Sequence, residues 1–218
     1  MKKLIINADD FGFSSVFNKK ILELVREGLI TSTTVMVNRV AEDQKEQLNE
    51  LLELSETHSL SIGLHLDLKD SEFPPQIEDQ VRKFKEFFKK SPSHLDFHKA
   101  PMFKTSRESY RKGAFSVIDR YCREKDLACR NHLGKIKGIK SPDHPAFYGS
   151  VKDFSEILDW VKLMKDNNTY EIIFHPGEYD PDCGSGFNKD REIDVTHIRK
   201  LNKILSENEI ELISFLDL

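Results

Sequence analysis

Long apolar runs are missing from this chain of 218 residues. None approaches the ~18 consecutive apolar residues that a membrane-spanning helix needs. The opening Met1-Lys2-Lys3-Leu4-Ile5-Ile6-Asn7 carries only three consecutive apolar residues, too few for a signal-peptide core. A cytoplasmic protein without membrane attachment is therefore the expectation. Cysteine is scarce: Cys122, Cys129 and Cys183 are odd in number and show no CxxC spacing, which argues against a disulfide framework and against a thiolate zinc site. Basic charge is not in excess. With 33 Lys and Arg against 37 Asp and Glu, the net charge of −4 is opposite to the surplus expected of a dedicated nucleic-acid binder. A Gly-rich phosphate loop, internal repeats, low-complexity tracts and linkers are also missing. The composition that remains, 38% hydrophobic and 32% charged, is that of an ordinary globular chain. One domain over residues 1–218 is expected, long enough to bury roughly 70% of its unfolded surface without covalent staples.

Along the chain, short apolar runs alternate with segments of helical period. Residues 3–8 read as a buried strand. Phe17, Ile21, Leu24 and Val25 recur at i, i+4, i+7 and i+8, marking a helix over 15–27 that Gly28 would close. The same reasoning places strands at 31–37, 60–66, 94–97, 127–130, 170–174 and 210–215. Helices are expected over 43–57, 77–88 and 107–125, behind a capping box of Asp153 and Glu156, and behind a cap at Asp194. Residues 131–150 read mostly as loop, and 176–189 as a loop. Strands alternating with helices argue for a parallel α/β sheet buried on both faces. Pattern alone does not separate an open doubly wound sheet from a barrel.

In parallel α/β folds, ligands bind at the carboxyl ends of the strands. The residues at those ends are Asp9 and Asp10 after the first strand, His65 on the third, His98 after the fourth, and His175 after the strand that begins near Tyr170. Taken singly, each has a plainer reading. The Asp pair suits a turn or cap, His65 a hydrogen-bonded core position, His98 a surface strand end, and His175 a turn before Pro176-Gly177. Together, from four strands and one end of the sheet, they are the right types for a divalent metal site with an acid and a base beside it. His58, His94, His132, His144 and His197 receive no role. Lys99 and Arg130 suit either orientation of a substrate or a solvated surface.

Five segments, NADDFG at 7–12, TSTTVMVN at 31–38, GLHLDL at 63–68, HLDFH at 94–98 and HPGEYD at 175–180, resemble the YdjC-type carbohydrate deacetylases in the family's order. The resemblance implies an incomplete or distorted (β/α) barrel, related to the polysaccharide deacetylases. It implies one divalent metal ion, Mg²⁺ or Zn²⁺, held by Asp10, His65 and His98, with Asp9 as general base and His175 as general acid. The implied substrate is a small N-acetylated sugar; neither nucleic acid nor membrane is a partner, and a homodimer is left open. Two departures stand out. The histidine-rich run that usually continues the fourth motif is here His98-Lys99-Ala100-Pro101-Met102, and the stretch from His65 to His98 is shorter than usual. A non-catalytic sugar-binding relative and another barrel hydrolase, such as a phosphoesterase, are the alternatives.

Overall fold

The computed structural model describes the chain apart from residues 70, 71, 99–107 and 136. Among the described residues eight strands form one sheet: β1 (Lys2–Phe11), β2 (Ser32–Val35), β3 (Ser61–Leu66), β4 (His94–Phe97), β5 (Ala128–Cys129), β6 (Phe147–Tyr148), β7 (Thr169–Phe174) and β8 (Ile210–Leu212). Their order is β5-β4-β3-β2-β1-β7-β6, with β8 also on β1, and every pairing is parallel. Helices α1 (Ser15–Arg26), α2 (Lys45–Thr57), α3 (Phe73–Phe88), α4 (Glu108–Lys125), α5 (Phe154–Lys162) and α6 (Arg191–Ile204) occupy the connections. Among the described residues no helix is long and apolar enough to cross a membrane.

Local chemistry sets these elements. The Ser14 hydroxyl accepts the Val16 N–H at the start of α1. At its end Gly28 takes φ +68°, and the N–H groups of Gly28 and Leu29 close on the carbonyls of Val25 and Leu24. Strand alternation then divides the interior in two. Leu4, Ile6 and Ala8 of β1 join the large core under the helices with Ile21, Leu24, Val35, Leu64 and Ile172. Ile5 instead meets Ala128, Ile213 and Phe215 inside the curve of the sheet.

That inner layer is tight. The His94 ring stacks on Phe215 with centroids 3.6 Å apart, and burial pushes its pKa down to about 3, so it packs as a neutral ring. A Cβ on Gly63 would meet this ring at 2.3 Å. Gly63→Ala should therefore destabilise the protein by about 1–3 kcal/mol, the range for overpacking. Thermal unfolding checks this, and an unchanged midpoint would show that the inner layer yields freely.

The sheet curls far enough for its two ends to communicate. Arg130, just past β5, donates to Glu171 on β7 and to Asp9 on β1, although β4, β3, β2 and β1 separate β5 from β7 along the sheet. The result is a half-barrel, which settles the choice left open by pattern and agrees with the incomplete (β/α) barrel expected. The mostly loop stretch 131–150 also contains β6 and the start of a 3-10 turn at Gly149–Val151; a strand of two residues displays no period. One expectation needs correction. The last helix begins at Arg191 behind Asp190, so Asp194 lies inside it and its carboxylate turns to the end of β7.

Candidate active site

In a regular strand Asp9 and Asp10 would face opposite sides. Between Ala8 and Phe11, however, β1 advances three residues while β2 advances two, from Thr33 to Val35. This is a bulge, and Asp10 sits in it at φ +71°, a left-handed conformation that costs a non-glycine residue about 1–3 kcal/mol. Both carboxylates are buried as a result, each with its own set of partners.

Asp10 Oδ2 accepts from Arg191 Nη2 at 2.7 Å, while Oδ1 is buried without a hydrogen-bond donor. Asp10 Oδ1 stands 3.5 Å from His65 Nε2 and 3.3 Å from His98 Nδ1, and the two nitrogens are 3.2 Å apart. Donor atoms about 2.0–2.1 Å from a tetrahedral ion lie about 3.3 Å from one another, so this triad from the ends of β1, β3 and β4 fits a divalent cation. The field fits as well. Burial lowers the His65 pKa, but the charges of Asp9, Asp96 and Asp10 outweigh it and raise the value to about 9, so positive charge is favoured here. A second cluster, Asp9, His65 and Asp96, has the spacing for an ion, but the Arg130 guanidinium already sits between its carboxylates.

Asp9 is held on several sides. Its Oδ1 accepts from Asn7 at 2.6 Å, Thr34 at 2.7 Å and Arg130 Nη2 at 2.8 Å. Its Oδ2 accepts from Arg130 Nη1 at 2.9 Å and lies 3.9 Å from His175 Nε2. Burial pushes its carboxyl up, but Arg130 and His65 outweigh this and hold it below the usual range. His175 Nδ1 lies 2.9 Å from the Ser150 hydroxyl, which donates to Asp194 Oδ2 at 2.5 Å. Burial draws the His175 imidazole down, while the charges of Asp10 and Asp9 pull the other way.

A family model described as YdjC-like protein matches residues 3–79. Carbohydrate deacetylase 2 of Listeria innocua is 30% identical over 260 residues, spanning 99% of this chain and 98% of that protein. The chain belongs to the YdjC-like family. Among solved structures, one from Enterococcus faecalis V583, described as a candidate cellobiose-phosphate cleavage protein, has a TM-score of 0.76 at 21% identity, covering 99% of this chain and 98% of that one. A polysaccharide deacetylase from Bacillus cereus has a TM-score of 0.58 at 11% identity, covering 98% and 92%. These two likenesses show a shared fold.

In this YdjC-like protein the five residues singled out from sequence lie together, and the structure adds partners that sequence reasoning passed over. Arg130, one of two residues weighed as orienting or solvated, is 2% exposed and ties Asp9, Asp96 and Glu171 together. Glu171 carried a signal, since it is a lone charge inside the apolar run from Tyr170 to Phe174 and requires a buried cation. Asp96 lies between His94 and His98 on alternate positions of β4, the inward-facing set. Arg191, which stands in the charged stretch Lys189-Asp190-Arg191-Glu192, is fully buried with its guanidinium 3.7 Å over the Phe17 ring. Lys99, Ala100 and Met102 lie outside the described residues.

Proposed function

We propose that this protein is a metal-dependent carbohydrate deacetylase that hydrolyses the acetamide of a small N-acetylated sugar. The observation that carries the reading is the convergence of Asp10 Oδ1, His65 Nε2 and His98 Nδ1 within 3.5 Å of one another. Asp9 and His175 stand beside this triad. The Listeria relative, named a carbohydrate deacetylase, supports the substrate class.

When bound, a divalent ion supplies Lewis-acid polarisation of the acetyl carbonyl and acidifies a water. Two imidazole donors suit Zn²⁺ better than Mg²⁺. Asp9, fixed by Arg130, Thr34 and Asn7, takes a proton from the attacking water as its oxygen bonds to the acetyl carbon. Collapse of the tetrahedral intermediate breaks the C–N bond, and His175, as the imidazolium, gives the departing amine its Nε2 proton and is left neutral, since an amide anion is too basic to leave unaided. Ser150 accepts from His175 Nδ1–H, so the imidazole keeps its orientation through the proton transfer.

The test is acetate release from N-acetylglucosamine oligomers by protein stripped of metal and resupplied with Zn²⁺, Mg²⁺, Mn²⁺ or Co²⁺ singly. Release should require an added ion and fall to background in His65→Ala. Failure of the wild-type protein to bind any of the four ions in a titration would sink the proposal.

A further inference from the structure

His132 has no part in the reaction above, yet its side chain is only 7% exposed and lies at the back of the triad. Its ring stacks on Phe115 with centroids 4.6 Å apart. Nε2 lies 3.0 Å from Asp96 Oδ1, and Nδ1 lies 3.4 Å from the Tyr148 hydroxyl. The other oxygen of Asp96, Oδ2, faces His65 Nδ1 at 2.7 Å and also receives Arg130.

Hydrogen-bond chemistry gives this chain a direction. Arg130 Nη1 donates to Asp96 Oδ2, and this buried ion pair makes the Asp96 carboxylate an acceptor. An ionised carboxylate only accepts, so His132 donates to it from Nε2, and the nitrogen that His65 presents to it at 2.7 Å, Nδ1, is the one that keeps a proton. Burial lowers the His132 pKa and keeps the ring neutral. With its proton on Nε2, His132 has a lone pair on Nδ1, and the Tyr148 hydroxyl donates to that. On the other side of Asp96, His65 keeps its proton on Nδ1 when an ion takes the place of the one on Nε2, and Nε2 is turned toward Asp10 Oδ1 and His98 Nδ1.

We propose that His132, backed by Tyr148, is a positioning residue for His65: it anchors one oxygen of Asp96 so that the other fixes the tautomer and ring orientation in which His65 Nε2 receives a metal ion. The inference rests on the metal-site reading given above. A ligand imidazole is aimed by whatever holds its second nitrogen, and that partner is only as fixed as its own supports. Without the His132 donor, Asp96 Oδ1 loses a fixed partner, and the carboxylate is free to rotate about Arg130, carrying with it its 2.7 Å contact with His65 Nδ1.

Competition for Zn²⁺ against a chromophoric chelator tests this directly, with folding followed by circular dichroism. His132→Phe keeps a flat ring on Phe115 but removes the donor, whereas His132→Gln gives up the ring and retains an N–H. Removing such support typically weakens metal affinity 10–100-fold, so His132→Phe should fall by about that factor, Tyr148→Phe by several-fold, and His132→Gln should stay within about threefold of wild type. A residue needed only for packing would give the reverse order. Wild-type affinity in folded His132→Phe, or equal losses in the Phe and Gln variants, would overturn the proposal. Should His132→Phe not fold, Tyr148→Phe decides, and wild-type affinity there removes the relay. A wild-type protein that takes up no Zn²⁺ defeats the metal-site reading itself, which is a separate and recognisable result.

Discussion

Asp9→Asn should lower kcat for acetate release by about 10²–10⁴-fold, the usual contribution of a general base, with metal affinity and KM close to wild type. The substitution is nearly isosteric, so most of the partners that place the side chain can stay. Its carbonyl oxygen can still accept from Thr34, Asn7 and Arg130, which all reach Oδ1. The amide nitrogen then occupies the position of Oδ2, giving up the bond from Arg130 Nη1 and standing 3.9 Å from His175 Nε2, where a carboxylate would have taken the water's proton and an amide takes none. A non-catalytic sugar-binding relative would be indifferent to the change, so undiminished turnover, or the absence of any turnover to lose, would defeat the assignment. The metal titration is equally informative. Asp9 lies outside the triad, and a large loss of affinity in Asp9→Asn would mean that the ion sits instead in the cluster of Asp9, His65 and Asp96.

The five residues above were legible in the sequence for a physical reason. A parallel sheet gathers the ends of its strands, so polar residues following buried apolar runs meet whether or not their spacing along the chain suggests it. His65 and His175 needed nothing more than strand placement. Asp10 needed more: without the bulge at Ala8 to Phe11, β1 would have turned one carboxylate into the outer core, and no residue type announces a bulge. Arg191 illustrates the other limit. It reaches Asp10 across 181 positions from the first turn of α6, where Asp190-Arg191-Glu192 reads as a solvated helix start. Asp194 failed differently, because an acidic residue near the start of a helix suits a cap equally well, and only the fold shows its carboxylate accepting the His175 N–H. What escaped notice is therefore mostly the answering charge, whose partner is fixed by tertiary packing.

Arg130→Met should cost more stability than any other single change considered, because one guanidinium answers three buried carboxylates. It donates to Asp9 at 2.8 Å and 2.9 Å, to Glu171 at 2.8 Å, and to Asp96. A linear apolar side chain can fill the space but leaves those charges without a counter-ion, and breaking a buried pair from one side costs about 3–5 kcal/mol. In a chain of this length each kcal/mol lowers the unfolding midpoint by about 2–4 °C, so a loss on the order of 10 °C is expected. The effect carries a pH signature. Burial raises Glu171 to about 7 in the wild-type protein, with Arg130 pulling the other way. Because its folded value lies above its unfolded one, Glu171 favours the folded state below the normal glutamate range, and that contribution is lost as pH rises through about 7. Removing Arg130 takes away the downward pull, so the penalty should be largest above pH 7 and should shrink toward pH 5. Pairing the change with Glu171→Gln should recover part of the loss at pH 8, since one uncompensated carboxylate is then gone. A midpoint within 2 °C of wild type at pH 8, measured to a precision of about 0.5 °C and set against the shift expected for a broken buried pair, would show that Arg130 is not what holds these charges in the half-barrel.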